Sequence, residues 1–309
     1  MSLPTTSDRP VEVTVWGRTD PGRHRPENQD SFLIMQLLGE EGDEGFLLRP
    51  HGGAPGAARG REFTLGPWGA LLLVADGMGG AAGGALASRT AVERVRQVMG
   101  NGWAGERKRA PREFAAYLVH ALEEANRTLH TLASEESELS GMGTTATAAG
   151  ILDDVLFLAQ VGDSRAYLVR NGTARQLTRD QSIVQELLDA GALTEDEAER
   201  SVQRNVILQA LGTAESVEVD LTYQQLRDDD LVLLCSDGLS SLLRPEELAA
   251  SVERFPDPPA LCEALIEVAN SRDSPDNVTV IAARVAGPGL IAPRPDDTVG
   301  RQVLDLAGQ

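Results

Sequence analysis

Lysine and cysteine are nearly absent from this chain. In 309 residues there is one lysine, Lys108, and two cysteines, Cys235 and Cys262. A single lysine in an otherwise arginine-based set removes chemistries that depend on one, such as a P-loop or a Schiff base. Two lone cysteines form neither a disulfide scaffold nor a zinc site, and both read as buried thiols. No apolar run approaches the ~18 residues of a membrane span. Met1 to Pro10 is polar, with no basic-then-apolar leader, so a cytoplasmic location is expected. The formal charge is −19 and no basic stripe offsets it, which argues against nucleic acid as a partner.

Hydrophobic residues make up 41% of the chain, enough for a sizeable core. Residues 11–16 alternate as a half-buried strand, and Ser31 to Leu38 gives a second. Residues 39–67 are rich in Gly, Pro and charge and read as a loop insertion. Helical spacing follows over Ala81 to Met99 and again from Pro111, where Phe114, Leu118, Leu122, Ala125 and Leu129 line one face. Strands are expected at Thr144–Gly150, Val155–Val161 and Ala166–Arg170, with Asn171-Gly172 as a hairpin turn. Ser182–Ala190 reads as a helix, and Thr194 to Glu197 as a capped helix start. Strands at Glu218–Tyr223, Leu231–Ser236 and Asn277–Val285 enclose helices at Pro245–Val252 and Pro259–Asn270. Runs of strands with helices in blocks predict an α+β fold of antiparallel sheets and covering helices. We expect a flexible N-terminus over 1–10, one domain over 11–286, and a flexible tail over 287–309.

Two segments repeat one design. Leu71-Leu72-Leu73-Val74-Ala75-Asp76-Gly77 and Leu231-Val232-Leu233-Leu234-Cys235-Ser236-Asp237-Gly238 each deliver a carboxylate at the end of an apolar strand, where a glycine turns the chain. Asp30, Asp163 and Asp276 also flank apolar strands. Any one of these is most simply a turn former. Five together are not, because Asp is depleted at core strand ends. Carboxylates forced together need a proton or a cation between them. An all-oxygen set without His or Cys suits Mg²⁺ or Mn²⁺. Two such ions can activate water and clamp an in-line displacement at phosphorus.

Other phosphoryl-transfer motifs fail. Ser241 and Val268 stand where a cysteine phosphatase needs Arg six residues after its Cys. Asp228-Asp229-Asp230 precedes its strand, whereas an aspartyl-phosphate motif follows one. Gly77-Met78-Gly79-Gly80-Ala81-Ala82 imitates a dinucleotide turn but would set Asp76 against the pyrophosphate.

Arg25-Pro26-Glu27-Asn28-Gln29-Asp30, Asp76-Gly77-Met78-Gly79-Gly80, Gly143-Thr144-Thr145, Gly162-Asp163-Ser164-Arg165, Ser236-Asp237-Gly238 and Asp276-Asn277 occur in the order seen in the metal-dependent protein phosphatases. The chain resembles this family, also called the protein phosphatase 2C family, and its bacterial branch most closely. The resemblance implies an αββα sandwich of two antiparallel sheets, with a metal site in the cleft at one edge. It implies that Asp76 bridges two metals and that the Gly77 carbonyl ligates one. Asp237 and Asp276 hold the other, and Asp163 is the ligand of a weaker third metal. Arg25 matches the phosphate-binding arginine, and Asp30 orients metal-bound waters. The implied activity is Mn²⁺- or Mg²⁺-dependent hydrolysis of phosphoserine and phosphothreonine in proteins by a metal-bridging hydroxide. The implied catalytic set is Arg25, Asp30, Asp76 and Asp237. Expected partners are phosphorylated proteins, including Ser/Thr kinases and their substrates, met by a monomer.

Three departures accompany the match. Gln29 stands where the bacterial motif usually has Glu and would reach a metal only through water. Ser201-Val202 replaces a His-Pro pair in the flap before Gln203-Arg204-Asn205. The third is the 39–67 insertion. The alternative reading is a pseudophosphatase that binds phosphoproteins without turnover.

Overall fold

The computed structural model describes residues 9–38, 47–48, 57–106 and 109–306. Its strands are β1 (Glu12–Asp20), β2 (Asp30–Gln36), β3 (Leu47–Leu48), β4 (Ala57–Thr64), β5 (Ala70–Met78), β6 (Gly143–Thr144) and β7 (Ala146–Leu152). They continue with β8 (Val155–Val161), β9 (Arg165–Arg170), β10 (Thr173–Gln176), β11 (Asp220–Gln225), β12 (Asp230–Cys235), β13 (Val278–Ala286) and β14 (Gln302–Val303). The helices are α1 (Gly80–Gln97), α2 (Pro111–Glu135), α3 (Ile183–Asp189), α4 (Glu195–Glu199), α5 (Asp237–Ser240), α6 (Pro245–Arg254) and α7 (Pro258–Ser271).

The strands form two antiparallel sheets, ordered β10-β9-β12-β13-β1-β4 and β14-β11-β8-β7-β5-β2-β3, with β6 paired to the end of β5. Alternating side chains on each central strand divide between two cores. In β5, Leu72 and Val74 face the other sheet, while Leu71, Leu73 and Ala75 face α1 and α2. In β13, Ile281, Ala283 and Val285 face inward, while Val278, Val280 and Ala282 lie under α5, α6 and α7. Covering both faces of both sheets explains why these strands read as continuous apolar runs. The layers are helix, sheet, sheet, helix, as expected.

Local signals also hold. Asn171 (φ 52°) and Gly172 (φ 71°) turn β9 into β10 with the paired positive φ of a tight hairpin. Thr194 and Glu197 form a reciprocal capping box at α4. Both cysteines are buried and unpaired.

Two expectations need correction. Residues 57–64, assigned to the 39–67 loop insertion, instead form β4, the edge strand beside β1. Gly60 permits this pairing, because a Cβ there would stand 2.3 Å from the Val15 carbonyl oxygen. Residues 39–46 and 49–56 of that insertion, and residues 1–8 of the N-terminus, lie outside the described residues. Residues 287–306 of the 287–309 segment expected as a flexible tail pack as a strap, and residues 307–309 lie outside the described residues. Leu290 is buried in the inter-sheet core, and Leu304 and Leu306 pack on the core under α2. Gln302 and Val303 pair with Tyr223 and Thr222. Its Gly and Pro residues shape turns in a path fixed by distant partners, which local composition does not reveal.

Candidate metal and phosphate site

The predicted acids converge at one end of the sandwich because antiparallel pairing brings their strand ends together. Asp30 opens β2 directly opposite Asp76 on β5. The Asp76 backbone is fixed by the threonine pair. Its N–H donates to Thr145 Oγ1 (3.0 Å), and its carbonyl accepts from Thr144 Oγ1 and Thr145 N, both 2.8 Å. Asp237 follows β12 as the first residue of α5, close enough to Asp76 for the two carboxyls to influence one another. Asp276 precedes β13, and its Oδ2 accepts from Arg25 Nη2 at 2.6 Å. Asp163 follows Gly162 (φ 104°) and, with Asp237, lines a groove of about 1310 Å³ whose walls also come from residues within 172–176, 182–205 and 240–253.

Glycines let the backbones meet. A Cβ on Gly77 would lie 2.1 Å from the Gly84 carbonyl oxygen, and one on Gly238 would lie 1.9 Å from the Asn277 carbonyl oxygen. Only glycine tolerates such approach.

The electrostatics are those of anions held together. Burial pushes Asp30 up to about 7, against hydrogen bonds from Thr279 and Ser236 that oppose the rise. Asp163 is also pushed up to about 7 and Asp237 to about 6, burial leading in both and neighbouring acids adding to it. Asp76 is raised well above the carboxylate range by burial first, then by Asp30, Asp237, Asp163 and Asp276.

Among the described residues, no three His, Cys, Asp or Glu side chains stand in finished metal-ligand geometry. The donor set nevertheless fits a hard cation. Asp237 Oδ1 and Asp30 Oδ1 are buried and have no hydrogen-bond partner. Such orphan anionic oxygens are costly unless something positive completes them. His24 is engaged by Asp273 at 2.8 Å. The remaining donors are oxygens, which matches Mn²⁺ or Mg²⁺ chemistry.

Arg25 is half exposed, and among the described residues only its Nη2 is bonded, to Asp276, which leaves the rest of its guanidinium fork uncommitted. Gln29 lies beside the site, its Oε1 against the backbone of Gly84 in α1 and its carbonyl accepting from Ser88 Oγ (2.6 Å) and Gly77 N (3.2 Å). Ser201 and Val202 lie on the exposed stretch after α4, with Val202 wholly exposed.

The sequence motifs include Ser236, Arg165 and Asn277 but assign them no role, and Thr279, Asp180 and Gln181 are not singled out; these residues hold the arrangement. Asp30 Oδ2 accepts from Ser236 Oγ (2.8 Å) and Thr279 Oγ1 (2.7 Å). Gln181 brackets Gly162, its N–H donating to the Gly162 carbonyl (3.0 Å) and its Oε1 accepting from the Gly162 N–H (2.8 Å). Asp180 takes both Nε and Nη2 of Arg165. Asn277 bonds three backbone groups of the β1–β2 loop. Polar residues of this kind announce nothing locally, because each acts on a partner remote in the chain.

Comparison with known proteins identifies the family. A family model described as Protein phosphatase 2C matches residues 60–276. The serine/threonine phosphatase stp of Listeria welshimeri is 35% identical over 212 residues, 68% of this chain and 82% of that protein. The serine/threonine phosphatase of S. agalactiae superposes with a TM-score of 0.73 at 31% identity, covering 88% of this chain and 98% of that one. The catalytic domain of the serine/threonine phosphatase PstP, solved in complex with two manganese ions, gives 0.69 at 31% identity, covering 89% and 99%.

Proposed function

The chain belongs to the protein phosphatase 2C family, and on that premise we propose that it hydrolyses phosphoserine and phosphothreonine in proteins at the carboxylate cluster around Asp76. The observation that carries the proposal is the pair of buried, unpartnered oxygens, Asp237 Oδ1 and Asp30 Oδ1, beside a half-exposed arginine. Relatives of the same family are Ser/Thr phosphatases, and one was solved with two manganese ions.

Asp76 and the Gly77 carbonyl, with Asp237 and Asp276, would hold two Mn²⁺ or Mg²⁺ ions; Asp163 would serve a third, and Gln29 would contribute through water. When bound, the ions supply Lewis acidity that lowers the pKa of water and offsets charge at phosphorus. Arg25 grips the phosphate with the part of its fork not committed to Asp276. Asp30, clamped at Oδ2 by two hydroxyls, presents Oδ1 as an acceptor that orients water. Neither cysteine is placed for a covalent route, since both thiols are buried and held neutral by that burial, pushed up to about 12. Substrates are phosphorylated proteins, including targets of Ser/Thr kinases.

The test is turnover of p-nitrophenyl phosphate and a phosphothreonine peptide. Chelation should abolish both and Mn²⁺ should restore both. Undiminished activity after chelation overturns the proposal. Tight phosphopeptide binding without turnover at saturating Mn²⁺ assigns the pseudophosphatase instead.

A further inference from the structure

We propose that Asn277 is the positioning residue that sets where Arg25 meets phosphate. The inference rests on the reading of Arg25 as the phosphate-binding residue. Arg25 sits within an irregular arch, residues 21–29, between β1 and β2. Both feet of that arch stand on one amide. Asn277 Nδ2 donates to the Pro21 carbonyl (2.9 Å) at the start and to the Glu27 carbonyl (3.0 Å) near the end. Asn277 Oδ1 accepts from the Gln29 N–H (2.8 Å). Three of the four hydrogen bonds an asparagine can make are therefore spent on the arch.

Asn277 is 3% exposed, so these bonds form away from water, where losing one leaves a buried group unpaired. The residue before it is Asp276, whose carboxylate receives Arg25. Asp276 Oδ1 also accepts from the Asn277 N–H at 2.9 Å. At the first foot, a Cβ on Gly22 would stand 2.5 Å from the Asp276 carbonyl oxygen, so the arch is seated against the backbone of the acid itself. Asn277 thereby couples two distances: arch to strand end, and guanidinium to carboxylate cluster. Aspartate, nearly isosteric, keeps an acceptor for Gln29 but has no donors for Pro21 and Glu27. Alanine lacks both.

The experiment is a double-mutant cycle on the full chain with Mn²⁺. It compares wild type, Arg25→Ala, Asn277→Asp, Asn277→Ala and the two doubles. It reads kcat and KM for p-nitrophenyl phosphate, the affinity for inorganic phosphate by calorimetry, and hydrogen exchange at the Gln29 amide. We expect Asn277→Ala and Asn277→Asp to weaken phosphate affinity and raise KM roughly tenfold, with a smaller change in kcat. In the Arg25→Ala background the same changes should cost less than about twofold, because the residue being positioned is gone. Gln29 exchange should quicken in Asn277→Ala and stay slow in Asn277→Asp. Additive losses in the doubles, or wild-type phosphate affinity in both single variants, overturn the proposal. If Asn277→Ala does not fold, Asn277→Asp completes the cycle. If the wild type turns nothing over, the phosphatase reading fails, and the calorimetric cycle still decides the role of Asn277.

Discussion

Asp30 and Asp76 stand directly opposite one another, their Cα positions paired across β2 and β5. Like charges at facing positions of a sheet repel, yet here both acids are enclosed at the end of two core strands. The fold holds the pair by giving Asp30 two hydroxyl donors and by a burial that favours the protonated form of both acids. Without cations, this end of the molecule is therefore a store of protons.

That store sets the pH dependence of the chelated protein. Asp30, Asp163 and Asp237 are pushed up to about 7, 7 and 6, and Asp76 also rises, burial being the first cause for each. Between pH about 4 and about 7 the folded chain binds more protons than the unfolded one, so stability falls as pH rises through that window. Carboxylates shifted the other way, such as Glu124 and Glu247 beside arginines, titrate below their ordinary 4.5 and oppose the trend only at its acid end. In chelator, Tm should be higher at pH 5 than at pH 8, and Mn²⁺ should raise it more at pH 8. A chelated Tm that climbs from pH 5 to 8 contradicts the assignment.

Substituting single acids should separate activity from stability. Asp76→Asn and Asp237→Asn each remove an anion from the cluster and a donor for the cation. We expect Mn²⁺-dependent turnover to fall by roughly two orders of magnitude or more. The chelated protein should at the same time melt no lower than wild type at pH 8, because a buried repulsion is relieved. Turnover within tenfold of wild type would place the chemistry elsewhere.

Backbone contact at the site gives a third prediction. Gly238→Ala places a Cβ 1.9 Å from the Asn277 carbonyl oxygen, and neither backbone can yield without moving a site residue. The loss should be about 3 kcal/mol or more. Gly105→Ala is the control: a Cβ there meets nothing within 4 Å, so the change should stay within about 0.5 kcal/mol. Urea denaturation of both variants measures the difference.

The same contrast explains what could be read from the sequence. Asp76 and Asp237 were legible because apolar strands carry a local signal and an acid at their end breaks it. Asn171-Gly172 and the Thr194 capping box were legible because their chemistry is complete within a few residues. Asn277 stood in a quoted motif, but its bonding role was not legible, since its partners Pro21, Glu27 and Gln29 lie about 250 positions away. β4 was hidden for a related reason. Its Gly and Arg content reads as loop, and only pairing with β1 makes it a strand.

The strap after Ala286 gives the last prediction. Leu290 is 8% exposed in the inter-sheet core, and burying such a side chain contributes about 2 kcal/mol. Further along, Arg227 Nε holds Asp297 (3.0 Å), and Arg301 Nη2 grips both oxygens of Asp220 (2.6 and 2.7 Å). Leu304 N–H then donates to the Leu221 carbonyl at 2.9 Å, covering part of the outer edge of β11. Removing residues 288–309 strips these contacts and opens that edge. At roughly 2–4 °C per kcal/mol for a chain of this size, the Tm should drop by about 5 °C or more. The freed edge should also promote self-association, visible by size-exclusion chromatography as concentration rises. Among the described residues, none of Arg25, Asp76, Asp237 or Asp276 bonds to the strap, so kcat at 20 °C should remain within about threefold of the full chain. Leu290→Ala alone should reproduce part of the Tm loss without the association. An unchanged Tm on truncation would return the segment to the loose tail that its composition predicts.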